Sequence, residues 1–599
     1  MKLNLDNRSA RIAVVVLTLA AAMIYLLGVS WMRWGHLIVD TWREAWVPYK
    51  ILQGKILYKD IVYPYGFIAP YTLALFYKLF GLKITSLVIC SSLLTFTASL
   101  LIHKITRFFL GYFEALLAAL TFLFVFAFGN YNQSSGIFNF ILPYSFATVF
   151  TVFFILAAFY CFLSFVSDQK LYYLWLWVFF ISLAFFSRII MTFPVWLAFV
   201  AVIFVCYWKK IFFTLYKAVF FSLLPLVIAF TGYFLFLFIT GAFDGFSESV
   251  ISFAALFTRK DFTFSAATFG VTGLKANLFF IFNSLLFNVL AVFISLAGAF
   301  SCDYFYNKKQ RVMAILMLFI SLSILLPLAY FTVHDQYCGM QVLLFVATGW
   351  IFLYLLRGGA DKKKIMLFAL CLVSMAMIVR FFLKLTPHGI GFAFLALVLV
   401  AYYVLIFTLL EKMHFIFFKK CSARLSVVFL RFFLVGVMIF VWLRSSPAYS
   451  QRVVKIPSAM GYTYCYPDVI TEHFLRVYGY LLADGAKDKS LVVLPSGVAL
   501  NLFTGMDSPL RYVDMGKFEF TAFKEEKILG ALSAAIPDYL VIFTFRPLVN
   551  MPDGTIFGYN YAHKTLAWIR NNYHCVGNYV SQIDGPLWPL TLVFKRNHH

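Results

Sequence analysis

Three carboxylates lie close together near the N-terminus of this 599-residue chain: Asp40, Glu44 and Asp60, all within residues 33–83, RWGHLIVDTWREAWVPYKILQGKILYKDIVYPYGFIAPYTLALFYKLFGLK. A carboxylate within hydrogen-bond reach of a sugar or Ser/Thr hydroxyl can take its proton as that oxygen attacks. Asp40 and Glu44 are four residues apart and share a face of any helix that carries them both. Each has a plainer reading beside the catalytic one. Asp40 suits a helix cap that accepts from free backbone N–H groups, Arg43-Glu44 suits an exposed helical face, and Asp60 suits a turn ahead of Tyr63-Pro64.

Cations that could hold an anionic leaving group are Arg188, in a tight turn, Arg259 and Lys260 in the long loop 241–275, and His334 at the start of His334-Asp335-Gln336-Tyr337. An arginine's planar fork grips a phosphate, although an arginine at a membrane surface also serves as a snorkelling anchor. Lys50, Lys55 and Lys59 suit a phosphate or anionic headgroups equally. Tyr58, Tyr63, Tyr65, Gln336 and Tyr337 are candidates for substrate contacts, and Asn130-Tyr131-Asn132-Gln133 is a further polar cluster. No nucleotide-binding glycine loop, HExxH, GxSxG elbow or calcium loop occurs. The nine cysteines show no metal spacing. Nothing calls for a metal or other cofactor, and a divalent cation stays compatible with the site.

The elements that must position these residues are membrane helices. The chain is 63% hydrophobic and 12% charged, against roughly 25% charged in soluble domains. That excludes a soluble enzyme, a disordered chain and a disulfide-stapled module, and the long apolar runs exclude an outer-membrane barrel. The net charge of +24 reflects Lys- and Arg-rich cytoplasmic loops rather than a nucleic-acid partner.

Apolar runs of about 20 residues fall near 12–32, 84–103, 114–130, 143–166, 171–187, 189–208, 214–240, 276–300, 312–332, 340–356, 365–383, 390–410 and 425–443. The first has the flanks of a signal sequence but the length of a retained helix. With the N-terminus inside, the basic clusters fall in alternate loops. This predicts a polytopic α-helical membrane protein of about thirteen spans over residues 1–443, with residues 444–599 outside the cytoplasm. DTWREAWVPYKILQ carries Trp42, Ala45, Trp46 and Tyr49 at the spacing of a helix lying in the headgroup layer.

The C-terminal stretch alternates strand and helix patterns. SLVVLPSGVALNLF (490–503) predicts a strand, a Pro-Ser-Gly turn and a helix start; FKEEKILGALSAAIPDYLVIFTF (523–545) a helix and then a strand. YAHKTLAWIRNNY (561–573) predicts a helix and TLVFKR a strand, together a small α/β domain. Cys338, Cys465 and Cys575 fall on the outer side, where a disulfide is compatible with the compartment. None of the twelve acidic residues between 12 and 443 lies near the middle of a predicted span, which argues against an ion-coupled transporter, whose coupling needs carboxylates at membrane depth.

On these residues the chain resembles the GT-C superfamily of membrane glycosyltransferases that use polyprenyl-phosphate sugars, among them protein O-mannosyltransferases, lipid A aminoarabinose transferases and family-39-like bacterial enzymes. The resemblance rests on Asp40 after the first span, on G-x-x-L-Y-x-D (Gly54, Leu57, Tyr58, Asp60), on the Tyr-Pro-Tyr-Gly turn, on the Leu-Phe-Gly ending at Gly81, and on NFILPYSFA (139–147). One departure stands out: the adjacent acidic pair of the family is here Asp40-Thr41, so a second carboxylate would be Glu44 or Asp60. The resemblance implies one inverting displacement at the anomeric carbon, with polyprenyl phosphate leaving. The acceptor would be a glycan, lipid or protein hydroxyl, on the periplasmic face of a bacterial inner membrane. Competing functions are a polymerase or ligase of polyprenyl-diphosphate glycans and a lipid or solute transporter.

Overall fold

The computed structural model describes residues 8–38, 40–129, 136–211, 213–252, 255–256, 273–332, 339–358, 361–383, 391–417, 423–485, 488–543, 556–580 and 590–597. Ten helices among them are long and apolar enough to cross a membrane, from Ser9–Ser30 to Ala423–Ser450. The other three predicted spans are also apolar helices, Tyr112–Ala127, Leu171–Ser187 and Met340–Leu356, but none exceeds 17 residues. Such a helix rises about 25 Å, less than the roughly 30 Å of a hydrocarbon core, so length alone does not make them spans.

Burial separates the centre of the bundle from its rim. In an 18-residue apolar stretch of each helix, 89% of residues are buried in Phe146–Asp168 and in Phe392–Ile416, but only 22% in Leu215–Thr240 and in Arg311–Phe331, which turn large apolar side chains outward. Apolar faces on both sides of a helix are stable where lipid is the solvent. Hydroxyls inside the helices bond the carbonyl one turn back: Thr151 to Ala147 (2.7 Å), Ser182 to Val178 (2.8 Å) and Ser295 to Ala291 (2.7 Å). Each of these three hydroxyls is thereby satisfied within its own helix.

After the last long helix come a hairpin, β1 (Val454–Ser458) and β2 (Gly461–Cys465), and the helix Val469–Ala483. A four-stranded sheet follows, made of β3 (Leu491–Leu494), β4 (Tyr539–Phe543), β5 (Tyr573–Val580) and β6 (Leu590–Arg596). Its order is β3-β4-β6-β5, with β3 and β4 parallel and the other pairs antiparallel. β3 and β4 are buried at every position, which their unbroken apolar runs LVVL and YLVIF allow. The predicted helices appear as Glu525–Ala535 and His563–Asn572. The hairpin, β5 and Val469–Ala483 were not anticipated. Cys465 is a buried free thiol and Cys575 an exposed one; Cys338 lies outside the described residues.

This sheet region lies directly over the loop that follows the first long helix. Tyr464 N–H donates to Met32 O (2.8 Å), Ile84 N–H to Met460 O (3.0 Å) and Val62 N–H to Arg511 O (2.8 Å). Buried Arg452 donates through Nη1 to Gly35 O (2.6 Å). The helix Thr41–Leu52 is consequently enclosed rather than laid out on a membrane surface: Trp42, Arg43, Glu44, Trp46 and Lys50 are all buried. Trp42 meets Phe503 edge to face with centroids 4.8 Å apart, and Lys50 Nζ donates to Asp507 (2.6 Å). The expectation of an exposed Arg43-Glu44 face fails because the C-terminal region covers it.

At the opposite end of the bundle, Arg431 Nε donates to Glu114 Oε1 (2.9 Å), pairing an arginine of the last long helix with an acid of the shorter helix Tyr112–Ala127. Glu114 is buried and Arg431 about one-third exposed. Breaking a fully buried pair costs about 3–5 kcal/mol; discounting for that exposure, Arg431→Met should cost roughly 2 kcal/mol. In thermal unfolding of the purified protein, adding Glu114→Gln to Arg431→Met should recover most of that loss. Strictly additive losses would show that the two charges are not coupled.

Candidate functional site

Asp40 stands at the N-cap of Thr41–Leu52 with φ 45° and ψ −57°. A residue with a Cβ rarely adopts that conformation, at a cost of order 1–3 kcal/mol. Its side chain makes no capping hydrogen bond, so the plain reading of Asp40 as a cap fails. Instead its Oδ1 accepts from Arg43 Nη1 at 2.9 Å. The same nitrogen donates to Asp514 Oδ2 (3.0 Å), Nε donates to Glu44 Oε1 (3.2 Å) and Nη2 to Tyr144 O (3.0 Å). One guanidinium thus gathers three carboxylates and a carbonyl.

Each partner is held from a different part of the chain. Glu44 accepts from Tyr63 Oη (3.1 Å) and from Phe146 N–H (2.8 Å), and is only 1% exposed. Tyr144 and Phe146 belong to the NFILPYSFA stretch, folded back by Asn139, whose Oδ1 accepts from the N–H groups of Ile141 (2.8 Å) and Leu142 (2.7 Å). Asp514 lies within the crossover from β3 to β4. Its Oδ1 meets Ser496 Oγ at 2.7 Å, and that hydroxyl also lies 2.8 Å from Ile38 O. Ser496 is the middle residue of the predicted Pro-Ser-Gly turn. Gly497 completes that turn at φ +135°, where a Cβ would fall 2.9 Å from Val493 Cγ1.

The electrostatics separate the carboxylates. Burial pushes the Asp40 carboxyl above its ordinary range, Arg43 pulls it back and the Asp514 charge pushes it up again, with a net rise. Burial raises Glu44 as well, against Arg43 and the Phe146 N–H. Glu519, whose Oε2 accepts from Gly516 N–H (3.0 Å), is pushed up to about 7 by burial and by Asp514. Both Glu44 oxygens are occupied. The Asp40 side chain is 29% exposed, and its Oδ2 has no hydrogen-bond partner among the described residues.

Tyr65 lies between this cluster and a second group of cations. Its ring centroid is 5.6 Å from Arg43 Cζ and 4.6 Å from Arg188 Cζ. Arg188 caps Leu171–Ser187, donates to Thr148 Oγ1, and lies near enough to Arg380 for the two charges to interact. Gly66 brings the Tyr-Pro-Tyr-Gly turn against this corner: its N–H donates to Ser187 O (2.9 Å), and a Cβ there would fall 1.9 Å from Phe186 O.

The sequence candidates therefore divide. Asp40, Glu44, Tyr63, Tyr65 and Arg188 converge. Tyr58 is fully buried and donates to Tyr65 O (2.7 Å), which braces the turn. Asp60 Oδ2 accepts from Ile56 N–H (2.8 Å) and closes its own turn, as its plain reading expected. Lys50 is tied to Asp507. Arg259, Lys260, His334, Gln336, Tyr337 and the 130–133 cluster lie outside the described residues. Arg43, Asp514, Glu519 and Ser496 were missed as site residues, as was Arg380, whose only signal was a lone arginine near the outer end of a span. Among the described residues no three His, Cys, Asp or Glu side chains are grouped to hold a metal ion; the carboxylates point at a guanidinium instead.

No protein-family model and no curated protein matches the chain. Solved structures do. The oligosaccharyltransferase of Archaeoglobus fulgidus, in complex with Zn and sulfate, superposes with a TM-score of 0.50 at 14% identity, over 97% of this chain and 73% of that one. ArnT from Cupriavidus metallidurans, bound to undecaprenyl phosphate, gives a TM-score of 0.49 at 11% identity, over 97% and 98% of the two chains. At such identities the likeness is one of fold alone: a multi-pass helical bundle with a C-terminal sheet domain.

Proposed function

We propose that this protein is an inverting glycosyltransferase that moves a sugar from a polyprenyl-phosphate donor to a hydroxyl of a glycan, lipid or protein. The reaction takes place on the periplasmic face of a bacterial inner membrane, and residues 444–599 form the domain that caps the cleft over the helices of residues 1–443. The observation that carries this reading is Asp40: a partly exposed carboxylate in a strained backbone, clamped through one oxygen and, among the described residues, unbonded at the other. A shared fold with an oligosaccharyltransferase agrees with it.

In the reaction, the acceptor oxygen forms a bond to the anomeric carbon while the bond from that carbon to the phosphate oxygen breaks. The electron pair leaves with polyprenyl phosphate, and the acceptor's proton passes to Asp40 Oδ2. A carboxylate made more basic by its surroundings is better suited to take that proton at neutral pH. Arg188 and Arg380 stabilise the charge that grows on the departing phosphate, with Arg259, Lys260 and His334 as further donor contacts and Gln336 and Tyr337 as sugar contacts. Glu44 holds Arg43, and Tyr63 holds Glu44, rather than touch substrate, and Asp60 has no step. No step runs through a metal.

Asp40→Asn keeps the shape of the side chain and removes its basicity. Release of polyprenyl phosphate from a panel of synthetic polyprenyl-phosphate sugars should fall at least about 10²-fold. Equal turnover would exclude Asp40 as the base, and flux of unmodified lipid across proteoliposomes would point to a transporter. Turnover of the wild type should be unchanged by EDTA.

The same mechanism sets a pH dependence. The base must be ionised, and its carboxyl is raised, so kcat/KM should fall as pH drops through a value above the ordinary aspartate range of about 3.9. That acid limb should be missing from the residual activity of Asp40→Asn. An acid limb at or below the ordinary range would mean that a different, more exposed carboxylate is responsible.

A further inference from the structure

The carboxylate proposed as base lies on the bundle side of the site, yet one of the two acids on Arg43 Nη1 comes from the C-terminal domain. Nη1 stands 2.9 Å from Asp40 Oδ1 and 3.0 Å from Asp514 Oδ2, so the two carboxylates compete for one donor nitrogen. The other oxygen of Asp514 is fixed by Ser496 Oγ at 2.7 Å, and that hydroxyl also reaches Ile38 O, two residues before Asp40, at 2.8 Å. The Pro-Ser-Gly turn and Asp514 therefore grip both the Asp40 side chain, through Arg43, and the main chain leading into its strained φ of 45°. A domain that only covered a cleft would have no need to share the guanidinium that holds the reacting group.

We infer that Asp514, held by Ser496, is a positioning residue of the C-terminal domain that sets the orientation and basicity of Asp40 by competing with it for Arg43. The inference rests on the reading of Asp40 as the base. It makes the domain a working part of the centre: when the domain is seated, Asp514 draws part of the guanidinium's charge away from Asp40 and adds a negative charge beside it. Both effects favour a proton on Asp40. The charged or titratable groups facing Asp40 are Arg43 and Glu44 on its own helix, Tyr65 on the following loop, and Asp514 and Glu519 on the C-terminal domain. Taking away the Asp514 charge leaves Arg43 wholly to Asp40 and Glu44, so the Asp40 midpoint must move down.

The test reads Asp40 directly and needs no substrate. The carboxyl of Asp40 is titrated by infrared difference spectroscopy on the full-length protein in detergent, wild type minus Asp40→Asn, and again with both proteins carrying Asp514→Asn. Asp514→Asn should lower the Asp40 midpoint by about one pH unit, the small end of what one nearby charge does. Asp514→Glu, which keeps the charge, should bring it back toward wild type. Ser496→Ala, which frees Asp514 from the hydroxyl that holds it beside Arg43, should move the midpoint in the same direction by a smaller amount and covers the case in which Asp514→Asn does not fold. A folded Asp514→Asn with an unmoved midpoint, or an unmoved midpoint in Ser496→Ala, would overturn the inference. If the midpoints move as expected but no polyprenyl-phosphate sugar is consumed by the wild type, the positioning holds and the proposed reaction is what fails.

Discussion

The structure around the candidate site depends on the burial of one guanidinium. Arg43 is 9% exposed in its side chain, and withdrawing such a group from water costs several kcal/mol unless its donors are satisfied with good geometry. Here Asp40, Glu44, Asp514 and the Tyr144 carbonyl supply the acceptors. The dependence also runs the other way, because three carboxylates so close would repel one another without the cation. Four segments far apart in sequence must meet at one point, and the need to keep that charge paired is what draws them there. The 136–147 stretch, the turn at Tyr63 and the sheet domain are in this sense accessories of a single residue.

The pairing explains why the helix after Asp40 is enclosed. A helix with Trp42, Ala45 and Trp46 on one side would be comfortable in the headgroup layer, and nothing in its own composition forbids that. What overrides the local preference is the C-terminal domain, which covers the helix with Phe503 and ties its far end through Asp507. The strain at Asp40 belongs to the same arrangement. A backbone in a sparsely populated conformation persists only where its surroundings over-determine it, and the Asp40 main chain is fixed on one side by the helix and on the other by Ile38, whose carbonyl meets Ser496.

Legibility in the sequence followed the range of the interactions. Membrane helices are coded by composition over some 20 neighbouring residues, and β3, β4 and β6 by short β-rich runs, so these could be read locally. Span length was harder: Leu171–Ser187 is apolar throughout but ends at Arg188, and no rule of composition says how a 17-residue helix sits in a bilayer. In the site, Asp40 was legible because it follows the first span, and Arg188 because it sits alone in a tight turn. Arg43 was misread because Arg-Glu on a helix is ordinarily a solvated pair, and what encloses it comes from Tyr63, Tyr144, Phe146 and Asp514, all distant in sequence. Asp514 carries no local signal at all. Ser496 did, but only as part of a turn, and its hydroxyl is what reaches Asp514 and Ile38.

The same contacts give the site a polarity. On one side of Tyr65 stand Asp40, Glu44, Asp514 and Glu519 around Arg43; on the other stand Arg188 and Arg380. Fixed charges in a partly buried setting act over several ångströms with little screening, so a molecule with an anionic end and a hydroxyl end meets a field that orients it. Under the proposed reaction this order is the required one. Negative charge accumulates on the departing phosphate, near the arginines, while the attacking oxygen sheds a proton toward the carboxylates. Reversing the donor would bring its phosphate against the acidic cluster. The arrangement selects one orientation through electrostatics alone, before any contact reads the identity of the sugar, and a reaction class can therefore be argued from these residues independently of the particular sugar they serve.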